Sequence, residues 1–517
     1  MYIPALRPAQ GEEWFKIGRC ACADVVGRGT SQGEIKEHQP QLATATNATN
    51  AEVLGLHVAV ADALLVEIID RFKELLAKAF EQFKAEAAFL AEPLGERQLP
   101  GALHGESLEA PDHHLVVNPD NAWVAQLGQG VIFDEGRVGL DYPELIEDVV
   151  AGDVLLLDDG RTVFDIERIE GTEIHCRNRH DGELSNNKGI NKQGGGLSAP
   201  ALTPKDMADI KTAAALNVDF VAVSFPKSGA DMRQARQLLR DAGSDALVIA
   251  KIERVEAVAN LEDILHATDG IMVARGDLAV EVGDAAVPAL QKRMIRMARE
   301  HNRFAITATQ MMESMISSPV PTRAEVSDVA NAVLDGTDAV MLSAETASGA
   351  YPVAAVDAMV RVCVAAEKSQ TVTLDTHFLD QVFTRIDQSI SMAAIFTAFH
   401  LKVKAIATLT ESGSTTLWMS RLNSGVPIYA LTPRIRTRYR VSIYRDVYPL
   451  LTEYVATDRD ELLWQAEEIL IAAGAVVPGD LIVLTIGEPI GQAGGTNTMK
   501  LVKVGEHRPP KSAQRLP

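Results

Sequence analysis

The chain has 517 residues, 47% of them hydrophobic and 23% charged, which is typical of a globular protein with a large buried core. Its formal net charge of −21 and an aromatic content of only 5% argue against a nucleic-acid-binding surface, so we expect no nucleic-acid partner.

Cysteine usage and hydropathy bear on the compartment. Cys20 and Cys22 lack a second pair at zinc-binding spacing, and Cys176 and Cys363 stand alone, so free thiols are predicted. No segment resembles a signal peptide, and no uncharged apolar run reaches the length of a membrane span. We therefore expect a cytoplasmic protein without a membrane partner.

Residues 1–138 form an atypical N-terminal segment to which no domain is assigned. Apolar residues at helical spacing predict a long amphipathic helix over about 51–92. The loop-like stretch that follows contains His104, His113 and His114, which are interpreted as solvated side chains rather than metal ligands.

Residues 139–187 are predicted to form a small all-β cap domain. Short apolar runs are separated by turns. Asp159-Gly160 is a strong hairpin signal, and Gly171-Thr172 is a weaker one.

Residues 188–368 alternate between strand and helix patterns, which predicts an α/β fold with a parallel sheet or barrel. The predicted strands are 218–225, 247–253, 270–276, 304–309 and 338–343, and the predicted helices are 231–242, 256–267, 288–301 and 323–335. Thr322 and Glu325 predict a capping box at the start of the last helix. One apolar stripe of that helix is predicted from Val326, Val329, Ala330, Val333 and Leu334.

Residues 385–507 carry a further α/β pattern, with strands predicted at 404–408, 427–431, 481–486 and 499–504. The first of these strands runs into the string TESGSTT, which contains Thr410, Ser412, Gly413, Ser414 and Thr415. A strand that leads through such a turn into a helix favours a phosphate-binding nest. A plain helix cap is the simpler interpretation of the same residues.

Side chains with chemical function follow three consecutive strands of the barrel pattern. Lys251 and Glu253 are two residues apart, so both side chains point to the same side of their strand. Asp277 is predicted to end the next strand, and Thr309 the one after it. Two carboxylates suit an octahedral Mg²⁺, and a lysine beside that metal implies an anionic substrate. Gly276 would let backbone N–H groups approach that anion, and the Thr309 hydroxyl would hold or relay a proton.

Each of these residues taken singly also has a structural interpretation. Lys251 and Glu253 would then be a surface ion pair, and Asp277 a helix cap. Because the C-terminal ends of barrel strands meet at one face, three neighbouring strands that end in charged or hydroxyl groups favour a shared site.

Several strings closely resemble the pyruvate kinase family. The most specific are KIERVEAV, IMVARGDLAVEVG and the continuous segment from ITATQMMESM to SAETASGAYP, within a similarity that covers about 139 to 505. The resemblance implies a TIM (β/α)8-type barrel, an inserted β cap and a C-terminal regulatory α/β domain. It also implies Mg²⁺-dependent phosphoryl transfer from phosphoenolpyruvate to ADP, giving pyruvate and ATP, together with K⁺ dependence and a homotetramer.

The family pattern assigns roles to the residues of the barrel. It implies that Lys251 stabilises the phosphoryl-transfer transition state and the enolate oxygen, and that Glu253 and Asp277 hold the Mg²⁺. It implies that the backbone at Gly276 and Asp277 receives the substrate carboxylate. Thr309 would lie next to the carbon that gains a proton.

Two further assignments rest on the same resemblance. Lys188, in the string SNNKGIN, matches a position that reaches the nucleotide phosphates. The loop that runs from Thr410 to Thr415 matches one that binds a sugar-phosphate activator.

The chain departs from the family at its start. Residues 1–138 contain no RTKIVATLGP-type opening, no RNFSHG-type segment and no DLQGPKIR-type hinge. These strings would supply three barrel strands, the arginine that grips phosphate and the K⁺ ligands. Either this segment is altered and leaves the enzyme incomplete, or it builds three strands with unrelated sequence. With five recognisable strands where eight close a barrel, we expect reduced kinase activity.

Two other functions use overlapping sets of these residues. One is a non-catalytic sugar-phosphate-binding protein that keeps only the role of the C-terminal domain. The other is a Mg²⁺-dependent aldolase or lyase that works through a pyruvate enolate and needs neither Lys188 nor a nucleotide.

Overall fold

The computed structural model describes residues 2–3, 115–117, 122–127, 137–140, 142, 144–158, 160–179, 182–184, 189–369, 383–452, 459–491 and 494–506. All of them belong to one unit of the chain. The predicted helix over 51–92, the Cys20–Cys22 pair, the three clustered histidines and Lys188 lie outside the described residues.

The chain enters the described structure through β1 (Tyr2–Ile3) and continues into an all-β sheet. The strands that follow are β2 (Leu115–Val117), β3 (Ala122–Leu127), β4 (Arg137–Leu140), β5 (Val154–Leu157), β6 (Thr162–Glu170), β7 (Glu173–Asn178), β8 (Gly182–Leu184) and β9 (Ile190–Lys192), with a short helix at Leu145–Asp148. Six of them form a sheet in the order β4-β3-β7-β6-β5-β9, and β2 pairs with β8. Both predicted hairpins form, because β5 and β6 pair antiparallel, as do β6 and β7. Since β3 pairs with β7, the sheet begins ahead of the predicted boundary at 139.

The central sheet carries the β/α repeat. Its parallel strands are β10 (Phe220–Val223), β11 (Leu247–Ile252), β12 (Gly270–Ala274), β13 (Phe304–Ala308) and β14 (Ala339–Val340). β1 pairs antiparallel with β10 at the outer edge. The helices of this part are Pro204–Ala215, Gly229–Asp241, Val255–Ala259, Leu261–Ala267, Arg275–Val282, Val287–Glu300, Arg323–Leu334, Ala344–Ala347 and Pro352–Ser369. The predicted α/β fold class is confirmed, and the described residues supply five parallel strands.

Two strand ends differ from the prediction. The strand predicted over 270–276 stops at Ala274, and Asp277 lies in the first turn of the helix Arg275–Val282. The strand predicted over 304–309 stops at Ala308, because Thr309 has a left-handed backbone with φ 68° that cannot continue a strand.

The capping box and the apolar stripe predicted for the helix Arg323–Leu334 can both be compared with the structure. Its capping box is confirmed, since the Glu325 N–H donates to Thr322 Oγ1 and the Glu325 carboxylate accepts from the Thr322 N–H. The apolar stripe is confirmed only in part. Val329 and Val333 are fully buried, whereas Val326 and Leu334 are 36% and 41% exposed.

Side chains of the parallel strands alternate between two buried faces. In β11, Val248 and Ala250 pack with the surrounding helices, whereas Ile249 joins a second cluster on the opposite face. That second cluster contains Phe304 from β13 and also side chains from the C-terminal part of the chain. Lys251 and Glu253 continue the period of Ile249, so they emerge on this second face at the end of the strand.

The C-terminal part is a separate α/β sheet. Its strands are β15 (Ala405–Leu409), β16 (Ile428–Thr432), β17 (Val447–Leu451), β18 (Leu481–Gly487) and β19 (Thr496–Lys503), and its helices are Ile386–Leu401, Ser414–Arg421, Ile435–Val441 and Arg459–Ala472. The order is β17-β16-β15-β18-β19. The sequence patterns missed β17 because Pro449 interrupts it. An edge strand tolerates that proline, since it can leave one side without ladder hydrogen bonds.

A buried ion pair joins the two α/β parts. The Arg421 guanidinium at the end of the helix Ser414–Arg421 pairs with both carboxylate oxygens of Asp338, and the side chains are 1% and 0% exposed. Asp338 also accepts from the N–H groups of Ala305 and Arg445, each at 2.9 Å. Arg421 Nη1 donates in addition to the Arg303 carbonyl at 2.7 Å. These hydrogen bonds compensate for the removal of both charges from water.

The structure bears on the predictions about membrane-spanning segments and free cysteines. None of the described helices is long and apolar enough to cross a membrane. Cys176 and Cys363 are buried free thiols, and burial raises the pKa of Cys176 to about 12.

Gly270 provides a stability test of the sheet. A Cβ atom at this position would lie 2.3 Å from Cε2 of Phe304, a fully buried ring packed between Phe220 and Tyr444. We expect Gly270→Ala to lower the free energy of unfolding by about 1–3 kcal/mol, because the ring must move within a filled core. Urea or thermal unfolding measures the change.

The matched control is Gly189→Ala, whose added Cβ would meet no atom within 4 Å. Equal stability of the two variants would contradict this account of Gly270.

Candidate active site

Lys251 and Glu253 form a largely buried pair where β11 ends. Lys251 Nζ lies 2.5 Å from Glu253 Oε1, with the side chains 15% and 0% exposed. The interpretation as a surface ion pair is therefore wrong. A buried ammonium and carboxylate interact more strongly than an exposed pair. The positions of both charged groups are therefore fixed relative to each other.

Two residues that the sequence patterns did not single out complete this pair. Ser224 Oγ accepts a hydrogen bond from Lys251 Nζ at 2.9 Å. The Phe225 N–H donates to Glu253 Oε2 at 2.7 Å from a left-handed backbone with φ 53°. Both follow β10 directly, so the rule that polar groups after a barrel strand belong to the site would have found Ser224.

Thr309 and Gly276 contact each other across the ends of β12 and β13. The Gly276 N–H donates to Thr309 Oγ1 at 2.9 Å, and that hydroxyl donates to the Ala308 carbonyl at 2.6 Å. Asp277 follows Gly276 and is half-buried. The structure therefore brings the predicted Gly276 and Thr309 together, and the parallel pairing of β11 with β12 places Lys251 opposite Met272 on the neighbouring strand.

The carboxylate oxygens of Glu253 and Asp277 suit a divalent cation only if substrate and water supply its remaining oxygen ligands. Among the described residues, no group of three or more His, Cys, Asp or Glu side chains is arranged to hold a metal. Glu253 Oε1 is buried and pairs with Lys251 Nζ, while Asp277 lies at the start of the next helix. Oxygen donors from Glu253 and Asp277 suit Mg²⁺, which takes its remaining ligands from substrate and water.

The segment that returns from the all-β sheet is anchored beside this site. The Gly196 N–H donates to Glu256 Oε1 at 2.8 Å, and the Gly194 N–H donates to the Glu281 carbonyl at 3.2 Å. Burial raises the pKa of Glu281, whose side chain accepts from the Val255 N–H at 2.9 Å. The Glu256 carboxylate and the Glu281 backbone carbonyl of the central part thus fix where the sheet rejoins it.

A pocket that is partly open to solvent lies in the C-terminal part. It is lined by Leu409, Thr410, Glu411, Thr415, Ile486, Gly487, Ile490, Gly491, Gly494 and Thr496. Of the predicted effector residues, Thr410 and Thr415 line the pocket, whereas Ser412, Gly413 and Ser414 are not among the lining residues.

The loop beside that pocket has a defined shape. Gly413 is left-handed with φ 83°, and its N–H donates to Thr410 Oγ1 at 2.9 Å. Thr415 Oγ1 is 2.7 Å from Thr496 Oγ1 on the opposite wall. The pocket also holds Glu411, whose carboxylate accepts from Arg434 Nε at 3.0 Å.

Two family models match the chain. The one described as pyruvate kinase, barrel domain, matches residues 111–356, and the one described as pyruvate kinase, alpha/beta domain, matches residues 388–502. The first match begins ahead of residue 139, where the recognisable strings start, and so includes β2 to β4.

Curated relatives agree with these matches. "Pyruvate kinase II" of Salmonella typhimurium is 52% identical over 384 residues, which are 74% of this chain and 80% of the relative. "Pyruvate kinase" of Haemophilus influenzae is 48% identical over 409 residues, covering 77% and 85% of the two chains. "Pyruvate kinase" of Mycobacterium intracellulare is 41% identical over 374 residues, covering 72% and 78%.

Proposed function

Because this chain belongs to the pyruvate kinase family, we propose that it transfers the phosphoryl group of phosphoenolpyruvate to ADP, which yields pyruvate and ATP. The observation that carries the proposal is the largely buried Lys251–Glu253 pair at the carboxyl end of β11. It lies at the edge of the parallel sheet where barrel enzymes carry their chemistry.

Lys251 supplies fixed positive charge. Its ammonium is held by Ser224 and Glu253, so it is oriented before substrate binds. Negative charge spreads over the phosphoryl oxygens and the enolate oxygen in the transition state, and a preoriented cation stabilises that charge without reorganisation.

Gly276, Asp277 and Thr309 act on the other end of the substrate. Their backbone and hydroxyl groups lie at the N-terminus of the helix Arg275–Val282, where N–H groups favour a carboxylate. The Gly276 N–H already donates to Thr309 Oγ1, so it serves the carboxylate by sharing that bond between the two acceptors. The Thr309 hydroxyl then relays a proton to the enolate carbon.

Glu253 and Asp277 are the proposed Mg²⁺ ligands. Their support is the burial of the Glu253 carboxylate at the end of β11 and the preference of Mg²⁺ for carboxylate oxygen. When bound, the ion would neutralise charge on the transferring phosphoryl group. The family generally uses K⁺ as well, and we propose K⁺ dependence for this chain. Lys188, outside the described residues, stays the proposed contact for the nucleotide phosphates.

We further propose that the pocket beside Thr410 and Thr415 binds a sugar-phosphate effector, that the chain forms a homotetramer and that it is cytoplasmic. The pocket is supported by its hydroxyl-rich lining and by the glycine-shaped loop next to it. Family membership favours the kinase over a binding protein without catalysis and over an enolate aldolase or lyase.

Lys251→Met should lower phosphoryl transfer by about 10²-fold or more, because the fixed cation is lost from the transition state. A lactate-dehydrogenase-coupled assay measures the rate, and Mn²⁺ binding monitored by electron paramagnetic resonance reports whether the carboxylates still bind a cation. We expect cation binding to persist.

The control for this change is Lys205→Met, which removes a lysine that is 81% exposed and paired with Asp209. Ordinary turnover of Lys251→Met would remove Lys251 from its proposed role.

The unaltered chain should turn over about 10²-fold more slowly than the Salmonella typhimurium relative assayed beside it. The reason is that residues 1–138 lack the string with the phosphate-gripping arginine, and one charge-stabilising group has about this effect. Equal turnover with phosphoenolpyruvate, ADP and Mg²⁺ would show that the chain supplies this group from an unrecognised segment.

Gly413→Ala should weaken sugar-phosphate binding by about tenfold or more. Its Cβ would lie 2.4 Å from Cγ1 of Val441, and its left-handed backbone is costly for alanine. Calorimetric titration with ribose 5-phosphate, glucose 6-phosphate and fructose 1,6-bisphosphate measures the affinity. Gly474→Ala is the control, since Gly474 is left-handed but has no atom within 4 Å of the added Cβ. If none of these ligands binds the parent chain, the effector proposal fails.

A further inference from the structure

The turn that carries Thr309 is strained. Thr309 and Gln310 both have left-handed backbones, with φ 68° and φ 53°. For a β-branched residue this conformation is an outlier, because the side chain clashes with its own backbone. Such a turn persists only where its surroundings hold it.

Arg275 is the side chain that holds this turn. It is only 7% exposed, and its Nη2 donates to the carbonyls of Thr309 at 2.6 Å and Gln310 at 3.2 Å. Its Nε donates to the Ala308 carbonyl at 3.3 Å. Nη1 is anchored by Asp328 Oδ2 at 2.5 Å. One guanidinium thus binds three successive carbonyls, which its planar fork of donors allows and a lysine cannot reproduce.

The position of the Thr309 hydroxyl follows from these hydrogen bonds of Arg275. Oγ1 donates to the same Ala308 carbonyl that Arg275 binds, and it accepts from the N–H of Gly276, the residue next to Arg275. Arg275 therefore fixes the turn through its side chain, while its neighbour fixes the hydroxyl through the backbone. A movement of the guanidinium would displace both partners of Oγ1.

We propose that Arg275 is a positioning residue for the proton step, an inference that rests on the proposed kinase function. In that step the electron pair of the enolate double bond forms a C–H bond with the proton of the Thr309 hydroxyl. The O–H bond breaks, and the hydroxyl regains a proton from solvent. Arg275 touches neither the substrate nor the reacting atoms. It keeps the hydroxyl in place.

The test compares Arg275→Lys with the parent chain in two rates and one structural readout. The rates are ATP formation from phosphoenolpyruvate and ADP, and exchange of the pyruvate methyl hydrogens in D₂O. We expect exchange to fall at least tenfold more than ATP formation. The structural readout is amide hydrogen exchange at Gly276, which should become faster as its bond to Thr309 Oγ1 loosens.

Arg303→Lys is the matched control. Arg303 lies just before β13, at the opposite end of the strand, and its Nε likewise donates to a carbonyl, that of Leu265 at 2.8 Å. It should leave the ratio of the two rates and the protection of Gly276 as in the parent.

Each outcome separates the two proposals. A parent chain without phosphoryl transfer refutes the proposed function, while the Gly276 exchange still decides the role of Arg275. A uniform loss of both rates with unchanged Gly276 protection refutes the positioning role. If Arg275→Lys does not fold, Asp328→Asn removes only the Nη1 anchor and should shift the same readouts in the same direction by a smaller factor. Unchanged readouts in that variant would also overturn the proposal.

Discussion

Parallel pairing of β10 to β14 is the constraint on which the candidate site depends. Side-by-side registers bring the carboxyl ends of β11, β12 and β13 to one edge. Because both faces of the sheet are packed with apolar side chains, this edge is where polar groups can emerge with low desolvation cost. The positions of Lys251, Gly276 and Thr309 at one edge all follow from that geometry.

At this edge the chain adopts a backbone that its residues do not prefer. Phe225, Thr309 and Gln310 are left-handed, and each is close to a hydrogen bond that involves a charged side chain of a neighbouring strand end. Glu253 binds the first turn, and Arg275 binds the second. The strain is thus stabilised by buried charges at the same strand ends that carry the site.

The period of two in β11 was sufficient to predict that Lys251 and Glu253 share a face, and the five parallel strands follow from their apolar runs. Asp277 was predicted to end a strand but lies in the helix that follows it, because nothing in the string IMVARGD marks where the strand becomes a helix. Arg275 was missed, since an arginine in a sequence gives no sign that it will be buried among carbonyls. Val326 and Leu334 were included in the apolar stripe on helical spacing alone, although tertiary packing decides how wide a stripe is covered.

The Arg421–Asp338 pair limits how this protein can be rearranged by evolution. Asp338 precedes β14 of the central sheet, whereas Arg421 ends a helix of the C-terminal part. A recombination that replaced one part without its charged partner would leave a lone ion in a dry interface, a defect that costs several kcal/mol. An exchange of either α/β part must therefore keep both charged partners, although each part has its own sheet.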